Sequence, residues 1–298
     1  MSHETHGQGP HADVDGHTGT PTTGHEWDGI KELNTPLPRW WLYTFYACIV
    51  FAVGYWFLYP AWPLLTGYTG GVLGWQSRAA VVTDLEDLKA MRAPMNEKIA
   101  KASLTEIEKT PELLAFARAQ GAAAFAINCS SCHGAGGQGS RGYPNLNADR
   151  WIWGGTLDEI HTTITHGARW DADPDTHSTM MPAFGHDGLL KPAEISTVAD
   201  YVRTLSGNAP EAGADLVAGK KLFGDNCAIC HGPEGKGNTE MGAPNLTTQV
   251  WLYGPTKADI MQRVQNGGGG IMPAWGAKLG DTTVKSLTVY VHSLGGGQ

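Results

Sequence analysis

Cysteine is scarce in this chain, at five among 298 residues. Charged residues make up only 17% of it, and the net charge of −8 leaves no excess of basic surface. Nucleic acid is therefore not expected as a partner. Residues 1–26 hold almost no apolar side chains, and one uncharged apolar run stands out, at 40–59. Four of the five cysteines fall in two copies of Cys-x-x-Cys-His-Gly: Cys129, Cys132 and His133, then Cys227, Cys230 and His231. The copies lie 98 residues apart. That distance argues against one shared zinc ribbon, and a zinc site needs no His directly after the second Cys. A thioredoxin-like thiol pair requires one motif at a strand–helix junction, not two in similar surroundings.

The motif is the attachment signature of a c-type haem. Two thiols add to the haem vinyl groups, and the adjacent His supplies an iron ligand. Two copies predict two covalently attached haem c groups, bound through Cys129, Cys132, Cys227 and Cys230, with His133 and His231 on the irons.

The surroundings of the two motifs repeat as well. Tyr143–Leu146 (YPNL) matches Ala243–Leu246 (APNL), and WIWGGT from Trp151 matches WLYGPT from Trp251. MPAFG from Met181 matches MPAWG from Met272. YVRTLSG from Tyr201 matches YVHSLGG from Tyr290. Read in sequence order, these are two tandem domains, 111–207 and 208–298, of ordinary domain size. The first carries a longer stretch before its Met (168–180) than the second (268–271).

Each copy runs helix, haem motif, Pro-bearing loop, helix, Met-Pro, final helix. This order resembles the small all-α class I cytochrome c family. The resemblance implies that the Met of the Met-Pro turn is the sixth iron ligand. By position it assigns Met181 to the iron of haem 1, with His133, and Met272 to the iron of haem 2, with His231. A thioether favours ferrous iron and closes the sixth position to oxygen. Met180, His166 and His177 are rivals in the first copy; Met241 and Met261 are weaker ones in the second. Phe125, Ile127, Leu146, Leu222, Phe223 and Leu246 are candidates for the apolar haem shell. The resemblance further implies that the carbonyls of Pro144 and Pro244 accept the proximal His N–H. Trp151, Trp153, Trp251 and Tyr253 carry polar tips that can reach haem propionates, or can be core aromatics instead.

The front of the chain divides at 1–26, 27–39, 40–62 and 63–110. Residues 1–26, with irregularly spaced His3, His6, His11, His17 and His25, are expected to be disordered. Twenty uncharged residues at 40–59 amount to about 30 Å of helix, enough to cross a bilayer. Aromatics crowd both ends, as an interfacial belt does. The run is too long, and starts too late, for a cleaved signal. Cys48 lies within it without a partner motif and reads as a packing residue. Basic residues on both flanks leave orientation undecided. In the connector 63–110, a flexible exit is expected at 67–74, a helix at 83–102 and a Ser103–Glu106 cap. The connector either lies along a partner or is solvated.

The segment 27–41 (WDGIKELNTPLPRWW), one span and two cytochrome domains together resemble the dihaem subunit, CcoP or FixP, of cbb3-type cytochrome c oxidases. The expected fold class is all-α: one N-terminal transmembrane helix followed by two tandem class I cytochrome c domains. The resemblance implies an electron-transfer subunit in aerobic or microaerobic respiration. It would carry electrons from a donor cytochrome c to the catalytic haem–copper subunit, beside a monohaem cytochrome c subunit. Oxygen reduction would belong to the partner, so the chain has no catalytic residue of its own. The resemblance also places the N-terminus in the cytoplasm and the haem domains in the periplasm of a bacterial inner membrane. The competing readings are a free membrane-bound shuttle, a cytochrome subunit of a periplasmic dehydrogenase and, less favoured, a dihaem peroxidase.

Overall fold

The structure, a computed structural model, describes residues 13–295. His3, His6 and His11 of the His-rich stretch lie outside the described residues. The chain divides into two compact units at Leu88/Lys89. It is helical apart from two small two-stranded sheets.

In the first unit, β1 (Thr22–Trp27) pairs antiparallel with β2 (Ile30–Leu33). The stretch expected to be structureless up to residue 26 therefore ends in a hairpin. Asp28 and Gly29 make its turn, with φ of 50° and 83°. Two successive positive φ values give the turn whose twist matches paired strands, and Asp-Gly is the dipeptide that favours it. Next comes α1 (Arg39–Leu58), which has no buried residue. A helix apolar all round and uncovered is what a membrane-spanning segment presents. The expected span 40–62 stops short because Tyr59 is extended, the conformation that the following Pro60 favours. The chain then turns back through the hairpin of β3 (Pro63–Leu64) and β4 (Gly67–Tyr68). The N–H groups of Val72 and Leu73 donate to the Phe57 and Leu58 carbonyls at 2.8 and 3.1 Å, closing the end of α1. The exit at 67–74 is thus tied down rather than flexible.

Helix α2 (Ser77–Lys101) contains Pro94 and runs through the boundary between the units. In the second unit its last turns pack into a core. Ile99 and Ala102 join Leu104 and Ile107 of α3 (Leu104–Lys109), with Leu113 and Ala117 of α4 (Pro111–Asn128). Ser103 caps α3 by accepting from the Glu106 N–H at 3.2 Å. Lys285 Nζ donates to the Ala100 and Ala102 carbonyls at 2.9 and 3.2 Å, placing a cation at the negative end of α2. The last part of the connector therefore buries one face in a core and leaves the other exposed. It belongs to the first cytochrome module.

The first motif forms α5 (Ser130–His133), and α6 (Leu157–His166) follows with a Thr156–Glu159 capping box. The next elements are α7 (Pro192–Leu205), α8 (Leu216–Asn226), α9 (Ala228–His231) with the second motif, and α10 (Lys257–Asn266). The chain closes with α11 (Gly276–Leu279) and α12 (Asp281–His292).

The pairing of these helices differs from the tandem expectation. Helix α4 packs against α12, at the other end of the unit. A Cβ on Gly121 would stand 2.3 Å from the Ser286 carbonyl oxygen, and Phe125 meets Tyr290 with centroids 5.4 Å apart. Helix α8 packs against α7, which precedes it. A Cβ on Gly219 would be 2.8 Å from the Thr197 carbonyl oxygen, and Tyr201 meets Phe223 at 5.5 Å. Each glycine lets two helix backbones approach as closely as an aromatic pair beside them requires.

In packing, the two modules do not part at 207/208. The first module is discontinuous: α3 to α6, then Met272 and α11–α12. The second is one continuous stretch nested within it: Met181, α7, α8, α9 and α10. Its elements occur in permuted order, with the final helix before the first. Two antiparallel strand contacts mark the crossing. Ala168 and Met272 each donate an N–H to the other's carbonyl at 2.9 Å, and the Gly268 N–H donates to Met181 at 2.7 Å.

Candidate cofactor sites

Two apolar clefts lie in the second unit, one per Cys-x-x-Cys-His motif. Cys129, Cys132 and His133 line the first, with Phe125, Leu146, Ile164 and Met272. Cys227, Cys230 and His231 line the second, with Phe223, Leu246, Val264 and Met181. Each motif sits on a single helical turn whose backbone is fixed at both ends. The His133 N–H donates to Cys129 and the Gly139 N–H to His133, at 2.9 and 2.7 Å; the His231 and Gly237 N–H groups do the same at 2.9 and 2.8 Å.

Each proximal imidazole is oriented by a proline carbonyl, as the resemblance implied. His133 Nδ1 lies 3.0 Å from the Pro144 oxygen, and His231 Nδ1 lies 3.0 Å from the Pro244 oxygen. A carbonyl only accepts, so Nδ1 carries the proton and Nε2 keeps a lone pair. Burial lowers both imidazoles from their ordinary value, against the opposing pull of the proline carbonyls. Two neutral nitrogen donors result, which is the form a metal requires. Burial, with the neighbouring thiol, pushes Cys129 and Cys227 up to about 11. They are held as neutral thiols in apolar surroundings rather than as thiolates.

The methionines are exchanged relative to the sequence expectation. Met181 lies in the second cleft, with His231, not with His133. Met272 lies in the first, with His133, not with His231. The cause is the crossing: 168–180 carries the chain out of the first module, and 268–271 brings it back. The longer stretch is a bridge between modules.

The rivals separate by position. His166 is paired with Asp173, with Nδ1 3.2 Å from Oδ1. His177 stacks on Trp153 at 4.2 Å and meets the Thr163 hydroxyl at 3.0 Å through Nε2. Neither lines a cleft. Met261 packs against the second module's core. Met180 and Met241 do line the second cleft, but Met180 is 58% exposed. Met181 packs against the core, in the position that mirrors Met272. Of the proposed apolar shell, Ile127 points to solvent at 81% exposure, and Leu222 packs behind the cleft.

A haem fits the donor set. Trp151 and Trp153 line the first cleft, and Trp251 and Tyr253 line the second. Trp251 Nε1 is buried with no hydrogen-bond partner in the protein. A buried N–H left unpaired costs free energy, so this donor is set for a group that enters the cleft. Sequence reasoning missed Arg169, Ile152 and Leu252, which line both clefts. Nothing in the repeat marks Arg169, whose counterpart position is occupied by Gly268 or its neighbours.

Three family models match successive parts of the chain. Residues 19–66 match the N-terminal domain of cytochrome oxidase-cbb3, FixP. Residues 118–206 match the cytochrome c family, and 214–291 match cytochrome c oxidase, cbb3-type, subunit III. The cbb3-type cytochrome c oxidase subunit FixP of Azorhizobium caulinodans is 59% identical, over 100% of this chain and 99% of that protein. FixP of Bradyrhizobium diazoefficiens is 54% identical over 97% of this chain and 99% of its own length. The cbb3-type subunit CcoP of Cereibacter sphaeroides is 48% identical over 93% and 96%.

Proposed function

The chain belongs to the family of cbb3-type cytochrome c oxidase subunits FixP and CcoP, and from that premise we propose that it is the oxidase's membrane-anchored dihaem electron carrier. It receives electrons from a donor cytochrome c and delivers them to the catalytic haem–copper subunit, beside a monohaem cytochrome c subunit. Cytochrome c domains hold covalent haem c; the reading here is one group in each of the two clefts.

Cys129 and Cys132 would hold the first haem covalently, with His133 and Met272 as its iron-ligating side chains. Cys227 and Cys230 would hold the second, with His231 and Met181. When bound, the haem supplies one-electron exchange between ferric and ferrous iron. The protein orients and encloses it. Pro144 and Pro244 fix the imidazoles, the apolar walls exclude water, and a methionine thioether would close the remaining iron position. Neither cleft then offers an open site for oxygen, so oxygen reduction belongs to the partner. Helix α1 anchors the chain in the inner membrane. Because haem c is attached outside the cytoplasm in bacteria, the haem modules face the periplasm and the N-terminus faces the cytoplasm.

The observation that carries this reading is the recurrence of one set in both clefts: two thiols, a carbonyl-oriented neutral imidazole and a methionine in the lining. Purification of the full chain from membranes in mild detergent tests it. An oxygen-reducing subunit and two covalent haems per chain should co-purify. Recovery of the chain with two haems but without any oxygen-reducing partner would contradict the oxidase assignment.

A further inference from the structure

The two clefts share a wall. Ile152, Arg169, Leu252 and Gly270 line both of them, and Arg169 is the only charged residue common to the two. Its backbone adopts φ of 54°, in the left-handed region that a residue with a Cβ adopts only under tertiary constraint. The Arg169 N–H donates to the His177 carbonyl at 2.7 Å. Nε donates to the Gly270 carbonyl at 2.6 Å and Nη1 to the Thr179 carbonyl at 2.8 Å. The guanidinium lies 5.5 Å from the Trp153 ring centroid. On another side it rests on glycine: a Cβ at Gly269 would stand 2.6 Å from Arg169 Cζ. The side chain is thus positioned by both crossing segments, 168–180 and 268–271, at the point where the modules meet.

Its charge is not balanced by protein. Among the described residues no Asp or Glu forms an ion pair with Arg169, and Nη2 donates to no protein group. Arg263, also at the second cleft, spends its charge on the Gly267 carbonyl at 2.6 Å and the Tyr253 ring at 3.5 Å. A half-buried guanidinium with free N–H groups calls for an anion, and a planar carboxylate is the best match to its fork. Each haem carries two carboxylates. Trp251 Nε1, unpaired in the second cleft, is a further donor of the same kind.

We propose that Arg169 is a shared anion partner for haem carboxylates in both clefts, so that one guanidinium sets the reduction potentials of both haems. This rests on the reading that each cleft holds a haem. The sign follows from Coulomb's law. Carboxylates near an iron favour its ferric form; a cation that neutralises them favours the ferrous form and raises the potential. Because Arg169 belongs to the wall common to both clefts, its removal acts on two centres at once. It is a positioning and tuning residue, not an iron ligand.

The test is a spectroelectrochemical titration of the full chain carrying Arg169→Gln. Both midpoint potentials should fall, with two haems still attached and the methionine–ferric charge-transfer band intact in both. A fall confined to one haem, or no fall, overturns the proposal. Arg169→Lys keeps a charge but not the fork, and serves if the Gln variant does not accumulate. It should lower both potentials by less, and a change in one haem or neither overturns the proposal equally. The parent chain is the control for the underlying reading. Fewer than two attached haems there would sink the dihaem assignment itself, whatever the variants do.

Discussion

Ala168 and Met272 exchange two backbone hydrogen bonds, each 2.9 Å long. One residue follows α6 and the other precedes α11, with the whole second module between them. That short antiparallel contact closes the first module around its discontinuity. It also brings Met272 to the cleft that His133 lines. A chain ending at residue 207 contains every element of the tandem first domain, yet lacks Met272 and α12. The fragment 1–207 should therefore yield no stable, thioether-ligated first haem. Absorption spectroscopy of the fragment checks this, and a stable fragment with a methionine-ligated haem would restore the tandem boundary.

The α4–α12 crossing has almost no slack. A Cβ at Gly121 would stand 2.3 Å from the Ser286 carbonyl oxygen, a backbone atom that cannot move alone. Gly121→Ala should cost about 1–3 kcal/mol of stability in the first module, the usual range for overpacking a close contact. Gly219→Ala, at 2.8 Å from its nearest neighbours in α7, should cost less. Denaturant unfolding of the two full-length variants gives the comparison.

Inside the second module, Lys257 Nζ bridges Asp200 and Glu211, each at 2.7 Å. Asp200 is 4% exposed. Burial pushes its carboxyl up, but bonds from the Lys257 ammonium and the Glu211 N–H outweigh that and hold it below the ordinary value. The carboxylate thus contributes stability above the ordinary carboxylate value near pH 4, and this is lost as pH falls through the lowered one. Lys257→Met strands the buried charge and should cost about 3 kcal/mol at neutral pH. The difference from the parent should shrink on acidification, as the stranded Asp200 takes up a proton. Unfolding at a series of pH values measures it; a pH-independent difference would remove Asp200 from the account.

The hairpin ahead of α1 exposes Trp27 at 66% and Ile30 at 72%. Deleting 27–41 should leave both haems attached and reduce co-purification of the oxygen-reducing subunit. Undiminished assembly would show that the segment makes no interface.

Much of this architecture was legible in the residues. The motifs, the repeat and the Ser103 cap depend on local sequence and stand where spacing put them, and the Pro144 and Pro244 carbonyls stand where the resemblance implied. The exchange of Met181 and Met272 was not legible, for a physical reason. The copies are so alike that no residue marks Tyr290 for Phe125 and Tyr201 for Phe223, the pairs the structure forms. Helix propensity and hydrophobic pattern are the same for both pairings. What differs is the connection, 168–180 against 268–271, and a length difference can mark a loop as readily as a bridge between modules. The Asp28-Gly29 hairpin was legible but obscured by the polar composition before it. Arg169 had no signal at all, because its role arises only where two segments distant in sequence cross.

The central claim is that each iron takes its methionine from the other sequence repeat. It is tested most directly in the full chain with Cys227→Ala and Cys230→Ala, which leaves only the first haem attached. Adding Met272→Ala should abolish the methionine–ferric charge-transfer band and let the ferrous iron bind carbon monoxide. Adding Met181→Ala instead should leave the band in place. The reverse, with the band lost on Met181→Ala and kept on Met272→Ala, would contradict the crossed arrangement.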